Sequence, residues 1–166
     1  MHIRINKNYL IFDKYRVKCA LGKRGIGRKE KEGDLITPSG IFGIKFLLYR
    51  KDRVKKIQTN LKKFVINKNM GWCNDPKSKM YNKLIRLPFN YSHERLFRKD
   101  NSYDIILVLN YNMNPIKKNK GSAIFVHIAK KNFKKTEGCI ALNKNFLLKL
   151  LKELKKNTVV RIVNQK

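Results

Sequence analysis

Two residues in the C-terminal part of the chain have side chains that can act together as a nucleophile and a base. His127 lies in the apolar run AIFVHI, residues 123–128, and Cys139 follows in the segment TEGCI. A free thiol titrates near 8.5, so it needs a base or a lowered pKa to attack a carbonyl at neutral pH. An adjacent imidazolium that lowered the thiol pKa by about two units would contribute roughly 2.7 kcal/mol and ionise most of the thiol. The pair predicts cysteine-dependent acyl transfer.

The chain around Cys139 suits that chemistry. Gly138 allows the backbone to approach a substrate, and the amides of this turn are candidates for an oxyanion hole. The loop at residues 130–135 is long enough to return the chain to the edge of the strand that carries His127, so the two side chains can meet. Taken alone, a strand histidine and a cysteine before a helix are more often structural than catalytic. Both interpretations therefore stand at this point.

The elements that must position this pair are mostly strands. Alternating apolar and polar residues predict half-buried strands, and continuous apolar runs predict central ones. Residues 15–21 alternate clearly, which places Cys19 on the inward face as a small buried hydrophobe. Near the end of the chain Asn143 can cap a helix with an apolar stripe at 3–4 spacing. The predicted strands are residues 3–5, 9–12, 15–21, 41–49, 105–109, 123–128 and 159–163.

The segments between these elements are read as loops. Residues 22–34 hold four glycines, and the stretch GKRGIG is no phosphate-binding loop, because neither Gly-Lys-Ser/Thr nor a helix pattern follows it. Residues 51–69 are irregular and basic, and residues 71–82 are rich in turn formers. With no internal repeat and no domain boundary, we expect a single domain over residues 1–166.

The composition is globular but extremely basic. The chain has 40 Lys and Arg against 11 Asp and Glu, for a formal charge of +29. Such a surface attracts polyanions, but scattered lysines are equally typical of compositional drift, so charge does not decide the function. The three cysteines form no Cys-x-x-Cys pair, which argues against a disulfide framework. We find neither a transmembrane run nor the apolar segment of a signal peptide.

Several segments together resemble one known family. The stretch GSAIFVHIAKKNFKKTEGCIAL, residues 121–142, resembles the active-site segment of the L,D-transpeptidase (YkuD-type) catalytic domain, in which a strand histidine precedes a Ser/Thr-x-Gly-Cys turn. Upstream, Gly-Asp at residues 33–34 and TPSGIF at residues 37–42 look like the family's Thr-Pro-x-Gly motif. The stretches GWCNDP, LPFNYSHERLFR and YDIILVLNYN resemble a particular branch of it. The resemblance covers roughly residues 15–155.

The resemblance implies a mainly β, sandwich-like fold with one C-terminal amphipathic helix. It implies that Cys139 forms an acyl-enzyme on peptidoglycan stem peptides, that His127 is its base, and that amides near Gly138 hold the oxyanion. Thr136 and Glu137 are expected to shape the turn. No cofactor and no metal are expected, and the envelope or periplasm is the inferred location, although no leader is visible. The partners expected are stem peptides and anionic wall polymers, without specific nucleic acid, and the protein is expected to be a monomer.

Two departures from the family pattern affect this expectation. Many members have a histidine directly before Gly-Cys, where this chain has Glu137. Many also carry an asparagine or arginine shortly after the cysteine, where this chain has Ala141 and Leu142. The acceptor, and the choice between transfer and hydrolysis, therefore stay open.

Other side chains are candidates for substrate contact. We include His93 and Arg95 from the segment SHER, and Trp72, the only tryptophan. The alternatives are that His93 is a hydrogen-bonded loop histidine and that Trp72 has an ordinary packing role in the core. His93, His127, Cys73 and Cys139 show no ligand spacing typical of a metal site.

Two other functions remain as alternatives. A thiol L,D-carboxypeptidase or amidase would use the same cysteine and histidine, with water in place of the amine acceptor. A basic nucleic-acid-binding module would fit the charge and the interspersed aromatic residues, but no recognised binding motif is present and the basic residues form no single stripe.

Overall fold

The computed structural model describes residues 2–164, and within this range it is mainly β with one α-helix. The predicted fold class is therefore confirmed. Besides the helix α1, Lys144–Glu153, there are two short 3-10 helices, Asn101–Tyr103 and Lys131–Phe133. The strands are β1 His2–Asn6, β2 Tyr9–Phe12, β3 Tyr15–Ala20, β4 Ile26–Gly27, β5 Thr37–Pro38, β6 Gly40–Tyr49, β7 Lys63–Val65, β8 Met70–Cys73, β9 Leu84–Arg86, β10 His93–Arg95, β11 Ile105–Leu109, β12 Phe125–Ile128, β13 Ile140–Leu142 and β14 Val159–Val163.

The main strands form two sheets that share β3 and β6. One sheet contains β3, β2, β1, β14 and the start of β6, and the other contains β3, β13, β12, β11, the rest of β6 and β7. Because β6 pairs with both β14 and β11, the hydrogen-bonded order closes on itself. This arrangement is sandwich-like, and closure removes edges that would otherwise expose unpaired backbone groups.

The core lies between the two sheets and under the helix. Alternate residues of β1 are buried, with Ile3 at 1% exposure and Ile5 at 0%, as a strand with one wet face requires. All five residues of β11 are buried, which confirms its prediction as a central strand. The predicted inward side chain of Cys19 is likewise buried. The core therefore fixes the strands that carry the candidate site.

The C-terminal helix follows β13 directly and begins where the sequence predicts. Asn143 caps it through its side-chain oxygen, which accepts hydrogen bonds from the amides of Asn145 and Phe146. Its apolar stripe, including Leu147 and Leu150, is buried. The helix has ten residues, and within residues 2–164 no helix combines the length and apolar character needed to span a bilayer.

A small separate sheet of β10, β8 and β9 packs beside the candidate site. β8 overlaps the segment predicted to be rich in turns, β10 lies in the segment SHER, for which a loop histidine was one interpretation, and β9 was not predicted. β4 and β7 fall in segments predicted as loops, and β5 was not predicted as a strand. Conversely, the strand predicted at residues 123–128 begins only at Phe125, because Ala123 adopts a left-handed φ of +52°. Of these elements, β8 and the segment that precedes Phe125 form part of the wall of the candidate site.

Candidate active site

His127 lies on β12, and Cys139 directly precedes the neighbouring parallel strand β13. His127 is paired with Ala141, and Cys139 precedes Ala141 by two residues. The register extended by one residue sets Cys139 opposite Phe125, and because side chains two residues apart in a strand share a face, it lies on the face that Phe125 shares with His127. The amide of Phe125 donates to the Cys139 sulfur at 3.4 Å, in agreement with that register. The loop between the strands thus returns to the edge of β12, as expected.

The thiol of Cys139 is held by backbone groups. Its sulfur donates to the carbonyl oxygen of Ala123 at 3.1 Å and accepts from the Phe125 amide. The pKa of this thiol is raised to about 12, chiefly by burial and next by the negative charge of Glu94. The resting cysteine is therefore a neutral thiol whose proton points at a main-chain acceptor.

The imidazole of His127 is fixed in one tautomer. It is 7% exposed, and its Nδ1 atom lies 2.9 Å from the carbonyl oxygen of Ile128. Because a carbonyl oxygen only accepts, Nδ1 carries the proton and Nε2 keeps the basic lone pair. Burial lowers the pKa of His127 to about 4, although the bond to Ile128 opposes this shift. At neutral pH the ring is uncharged and able to take a proton through Nε2.

These two pKa shifts do not favour a thiolate–imidazolium pair. Both the thiol and the imidazole are driven by burial towards their neutral forms. An imidazolium next to Cys139 is therefore not a feature of the resting site. The arrangement instead suits general-base catalysis, in which the proton leaves the sulfur as the bond to the substrate forms.

The turn before Cys139 is organised by a threonine. The Thr136 hydroxyl donates to the carbonyl oxygen of Cys139 at 2.6 Å and accepts from the Gly138 amide at 3.2 Å. Gly138 has a φ of +142°, and a Cβ there would lie 2.9 Å from the carbonyl oxygen of Ile36. Glycine is thus needed for both conformation and space. Because the Gly138 amide is bonded to Thr136, it is not available as an oxyanion donor in this conformation.

Glu137 is exposed at the same turn. Its charge adds to that of Glu94 in raising the pKa of the Cys139 thiol. The residue that replaces the family's histidine thus brings negative charge near the sulfur.

A buried asparagine supports the wall of the site and was missed from the sequence. The Asn82 side-chain oxygen accepts from the Trp72 indole at 3.0 Å and from the Ala123 amide at 3.1 Å. Its side-chain nitrogen donates to the carbonyl oxygens of Tyr111 and Asn112, at 3.0 and 2.8 Å. Asn82 therefore holds the residue whose carbonyl accepts the thiol proton. An asparagine in a turn-rich segment gave no signal of this role.

Three side chains were predicted to contact substrate: Trp72, His93 and Arg95. Trp72 is 1% exposed, and its indole packs edge-on against Phe125, so the prediction of substrate contact is wrong for this core residue. His93 is half-buried and bonds through Nδ1 to the Tyr91 carbonyl oxygen, while Arg95 is exposed. By strand alternation these two lie on the opposite face of β10 from Glu94.

Glu94 is the residue of β10 that approaches the candidate site. It accepts a hydrogen bond from Tyr103, whose ring packs edge-on against His127 with centroids 5.3 Å apart. Sequence reasoning passed over both residues. Glu94 belongs to a strand of three residues, too short for a period, and the tyrosine stands at the end of a 3-10 helix.

Comparison with known proteins identifies the family of the chain. The chain matches the family model of the L,D-transpeptidase catalytic domain, YkuD, over residues 3–162. It therefore belongs to the L,D-transpeptidase catalytic domain family, a cysteine-dependent family whose function is related to peptidoglycan. No curated protein matches the chain by sequence.

Two similar solved structures are those of the helical cell shape determining protein Pgp2 from Campylobacter jejuni and of a mutant of that protein. Each is 18% identical to the chain, with a TM-score of 0.47. The alignments cover 99% of this chain but only 48% and 47% of those proteins. The chain thus spans about half their length.

Proposed function

We propose that the protein is an L,D-transpeptidase that acts on peptidoglycan stem peptides through a thioester on Cys139. The family supplies the class of reaction and the kind of substrate. The observation that supports the assignment to particular residues is the register of β12 and β13, which sets Cys139 opposite Phe125 on the face that also carries the neutral imidazole of His127. His127 has its Nδ1 proton tied to Ile128, so its free lone pair is the one at Nε2.

In the first half of the reaction, Cys139 attacks the carbonyl between an L-centre and a D-residue of the stem peptide. Nε2 of His127 takes the thiol proton as the carbon–sulfur bond forms. The tetrahedral intermediate collapses with loss of the D-amino acid, and His127 returns the proton to the leaving amine. The Cys139 amide is the candidate oxyanion donor, since the Gly138 amide is bonded to Thr136.

In the second half, an amine acceptor resolves the thioester. His127 accepts a proton from the attacking amine and gives it to the departing sulfur, which restores the thiol. Thr136 keeps the turn in shape through its bond to the Cys139 carbonyl, and Glu137 adds negative charge where a cationic amine approaches. The acceptor proposed is the side chain of a diamino acid in a neighbouring stem.

The setting proposed for this reaction is the cell envelope, with one catalytic domain working as a monomer. The +29 charge would favour adsorption to an anionic wall polymer. Charge reversal of several exposed lysines should therefore weaken wall binding and make it less sensitive to salt. Unchanged binding would contradict the adsorption proposal and leave the chemistry unaffected.

The decisive experiment is intact-protein mass spectrometry after incubation with a carbapenem, an acylating agent that the family resemblance makes appropriate. We expect one adduct per wild-type chain. Cys139→Ser should give none, and His127→Gln should give it much more slowly, because the sulfur then lacks its base. His2→Gln is the matched control, since it removes an exposed histidine on β1, a strand that carries none of the candidate site residues.

Product analysis then separates transfer from hydrolysis. A stem tetrapeptide incubated with and without an amine acceptor should yield a cross-linked product only in the first case. Release of the terminal D-residue with no amine product would favour a thiol L,D-carboxypeptidase instead. A folded wild type that gains no adduct and processes no peptide would contradict the proposed function.

A further inference from the structure

The imidazole of His127 is packed against a buried phenol. The rings of Tyr103 and His127 meet edge to face, with centroids 5.3 Å apart and an interplanar angle of 74°. Tyr103 is 5% exposed and ends a 3-10 helix that is capped by Asp100. The bond to Ile128 fixes the imidazole at Nδ1, and the phenol ring limits its rotation and shields it from water.

Tyr103 is itself held by two charged side chains. Its hydroxyl donates to Oε1 of Glu94 at 2.5 Å, and the Arg98 guanidinium lies over its ring, 5.0 Å from the centroid. Arg98 also approaches Glu94, with Nη1 3.7 Å from Oε1. The three side chains thus form one unit in which moving any member disturbs the ring that faces His127.

The same unit acts on the sulfur. The charge of Glu94 raises the pKa of Cys139, second only to the effect of burial. Glu94 belongs to β10 in the small sheet, whereas His127 belongs to β12 and Cys139 directly precedes β13. The small sheet therefore reaches the catalytic pair through this carboxyl group and Tyr103, in addition to the contact of Trp72 with Phe125.

We propose that Tyr103, held by Glu94, is a positioning residue that keeps the His127 imidazole oriented with Nε2 towards the thiol. The inference rests on the proposed roles of Cys139 and His127. Neither Tyr103 nor Glu94 exchanges a proton with substrate in this scheme. They act by fixing the base, and a displacement of about 1 Å at a catalytic group costs on the order of a hundredfold in rate.

The test has two readouts across four variants. The first is the rate of carbapenem acylation. The second is the titration of His127 by NMR in a Cys139→Ser background, where His127→Gln identifies its signal among the three histidines. Tyr103→Leu removes the ring, Tyr103→Phe removes only the hydroxyl, and Glu94→Gln keeps an acceptor without the charge. Tyr81→Phe is the matched control, because Tyr81 is also buried and also donates to a glutamate, Glu32.

We expect Tyr103→Leu to slow acylation about a hundredfold and Tyr103→Phe about tenfold. In Tyr103→Leu, water reaches the imidazole, so the pKa of His127 should rise from about 4 towards 6.5. The charged groups that act on His127, namely Arg98, Asp100 and Lys130, stay in place in that variant. Glu94→Gln should slow acylation less than Tyr103→Leu. Tyr81→Phe should leave both readouts within about twofold of wild type, because the Tyr81 hydroxyl donates to Glu32 and not to a member of the unit that faces His127.

The outcomes distinguish this inference from the function on which it rests. Wild-type acylation and an unshifted His127 titration in Tyr103→Leu would overturn the positioning role while leaving the nucleophile intact. Should that variant fail to fold, the same two results in Tyr103→Phe and Glu94→Gln would overturn it. An adduct that persists in Cys139→Ser would contradict the proposed function. The NMR titration needs no substrate, so it still tests the tyrosine–imidazole contact in that case.

Discussion

The thiol of Cys139 donates a hydrogen bond to the carbonyl oxygen of Ala123, with the sulfur 3.1 Å from the oxygen. A thiolate has no proton to donate, so this contact belongs to the neutral form. Burial favours the same form, as it does for the uncharged imidazole of His127. The resting site thus contains a neutral thiol and an uncharged imidazole. The protonation state of the thiol can be measured by ultraviolet absorbance.

We predict that Cys139 stays protonated in the free protein through neutral pH. The difference in thiolate ultraviolet absorbance between wild type and Cys139→Ser should be absent at about pH 7, because burial raises the pKa of this thiol to about 12. Cys19 and Cys73 are 1% and 0% exposed and are common to both proteins, so they cancel. A difference signal that titrates below about pH 7.5 would indicate an ion pair and contradict the neutral resting state.

The second prediction concerns Asn82. Asn82→Ala removes an acceptor for two buried donors and a donor to two carbonyl groups. We expect a loss of about 3 kcal/mol in the free energy of unfolding, since unpaired buried polar groups cost about 1–3 kcal/mol each and do not add fully. Acylation of Cys139 should also slow, because Ala123 loses its support.

Urea unfolding and the rate of carbapenem adduct formation check both parts. Asn74→Ala is the matched control, because the Asn74 side chain only accepts from Ser92 near the surface. It should change the unfolding free energy by less than about 0.5 kcal/mol. Normal acylation by a folded but destabilised Asn82→Ala would show that Asn82 supports the fold without supporting the site.

The third prediction concerns the glycine before the nucleophile. Gly138→Ala must place a Cβ 2.9 Å from the Ile36 carbonyl oxygen in a backbone conformation that L-residues rarely adopt. We expect a cost of about 1–3 kcal/mol in stability and a marked loss of acylation, because the turn can relax only by moving Cys139. The loss should appear in thermal unfolding and in adduct formation.

Gly25→Ala separates the two causes. Gly25 also has a positive φ, +78°, but a Cβ there meets no atom within 4 Å. Its substitution should cost about 1–2 kcal/mol from backbone strain and leave acylation unchanged. Equal effects of the two substitutions on acylation would show that the contact with Ile36 is unimportant.

Much of the scaffold could be predicted because its signals are local. The alternation at residues 15–21, the apolar run of β11 and the cap at Asn143 each specify one element, and all three are observed. The pairing of the segment after Cys139 with β12 is in agreement with a loop of the right length between two strands. Such features depend on residues that are near each other in the sequence, so one sequence is enough to predict them.

The support for the base could not be predicted in this way. Glu94 and Tyr103 reach His127 through contacts between separate sheets, and β10 has only three residues to show a pattern. The left-handed Ala123 depends on Asn82, which is distant in sequence. The neutral form of His127 could not be predicted either, because composition does not reveal how fully a strand histidine is buried. Tertiary contacts decide each of these points.

The last prediction is a pH dependence of stability that comes from His127. Its pKa is about 4 in the folded protein, against an ordinary value of 6.5. Between these values the unfolded chain binds a proton that the folded protein does not, so stability falls as the pH falls through this window. The full difference corresponds to about 3 kcal/mol.

In His127→Gln this contribution is absent, so the loss of unfolding free energy between about pH 7 and about pH 4 should be smaller by up to that amount. The pKa values of Asp34 and Asp100 are lowered by their partners. The stability that these two residues contribute is therefore lost at still lower pH, in both proteins. Urea unfolding at the two pH values measures the difference, and His93→Gln, which leaves the buried imidazole in place, should keep the wild-type slope. Identical slopes for wild type and His127→Gln would mean that the imidazole is not held neutral by burial, and the general-base assignment would lose its physical basis.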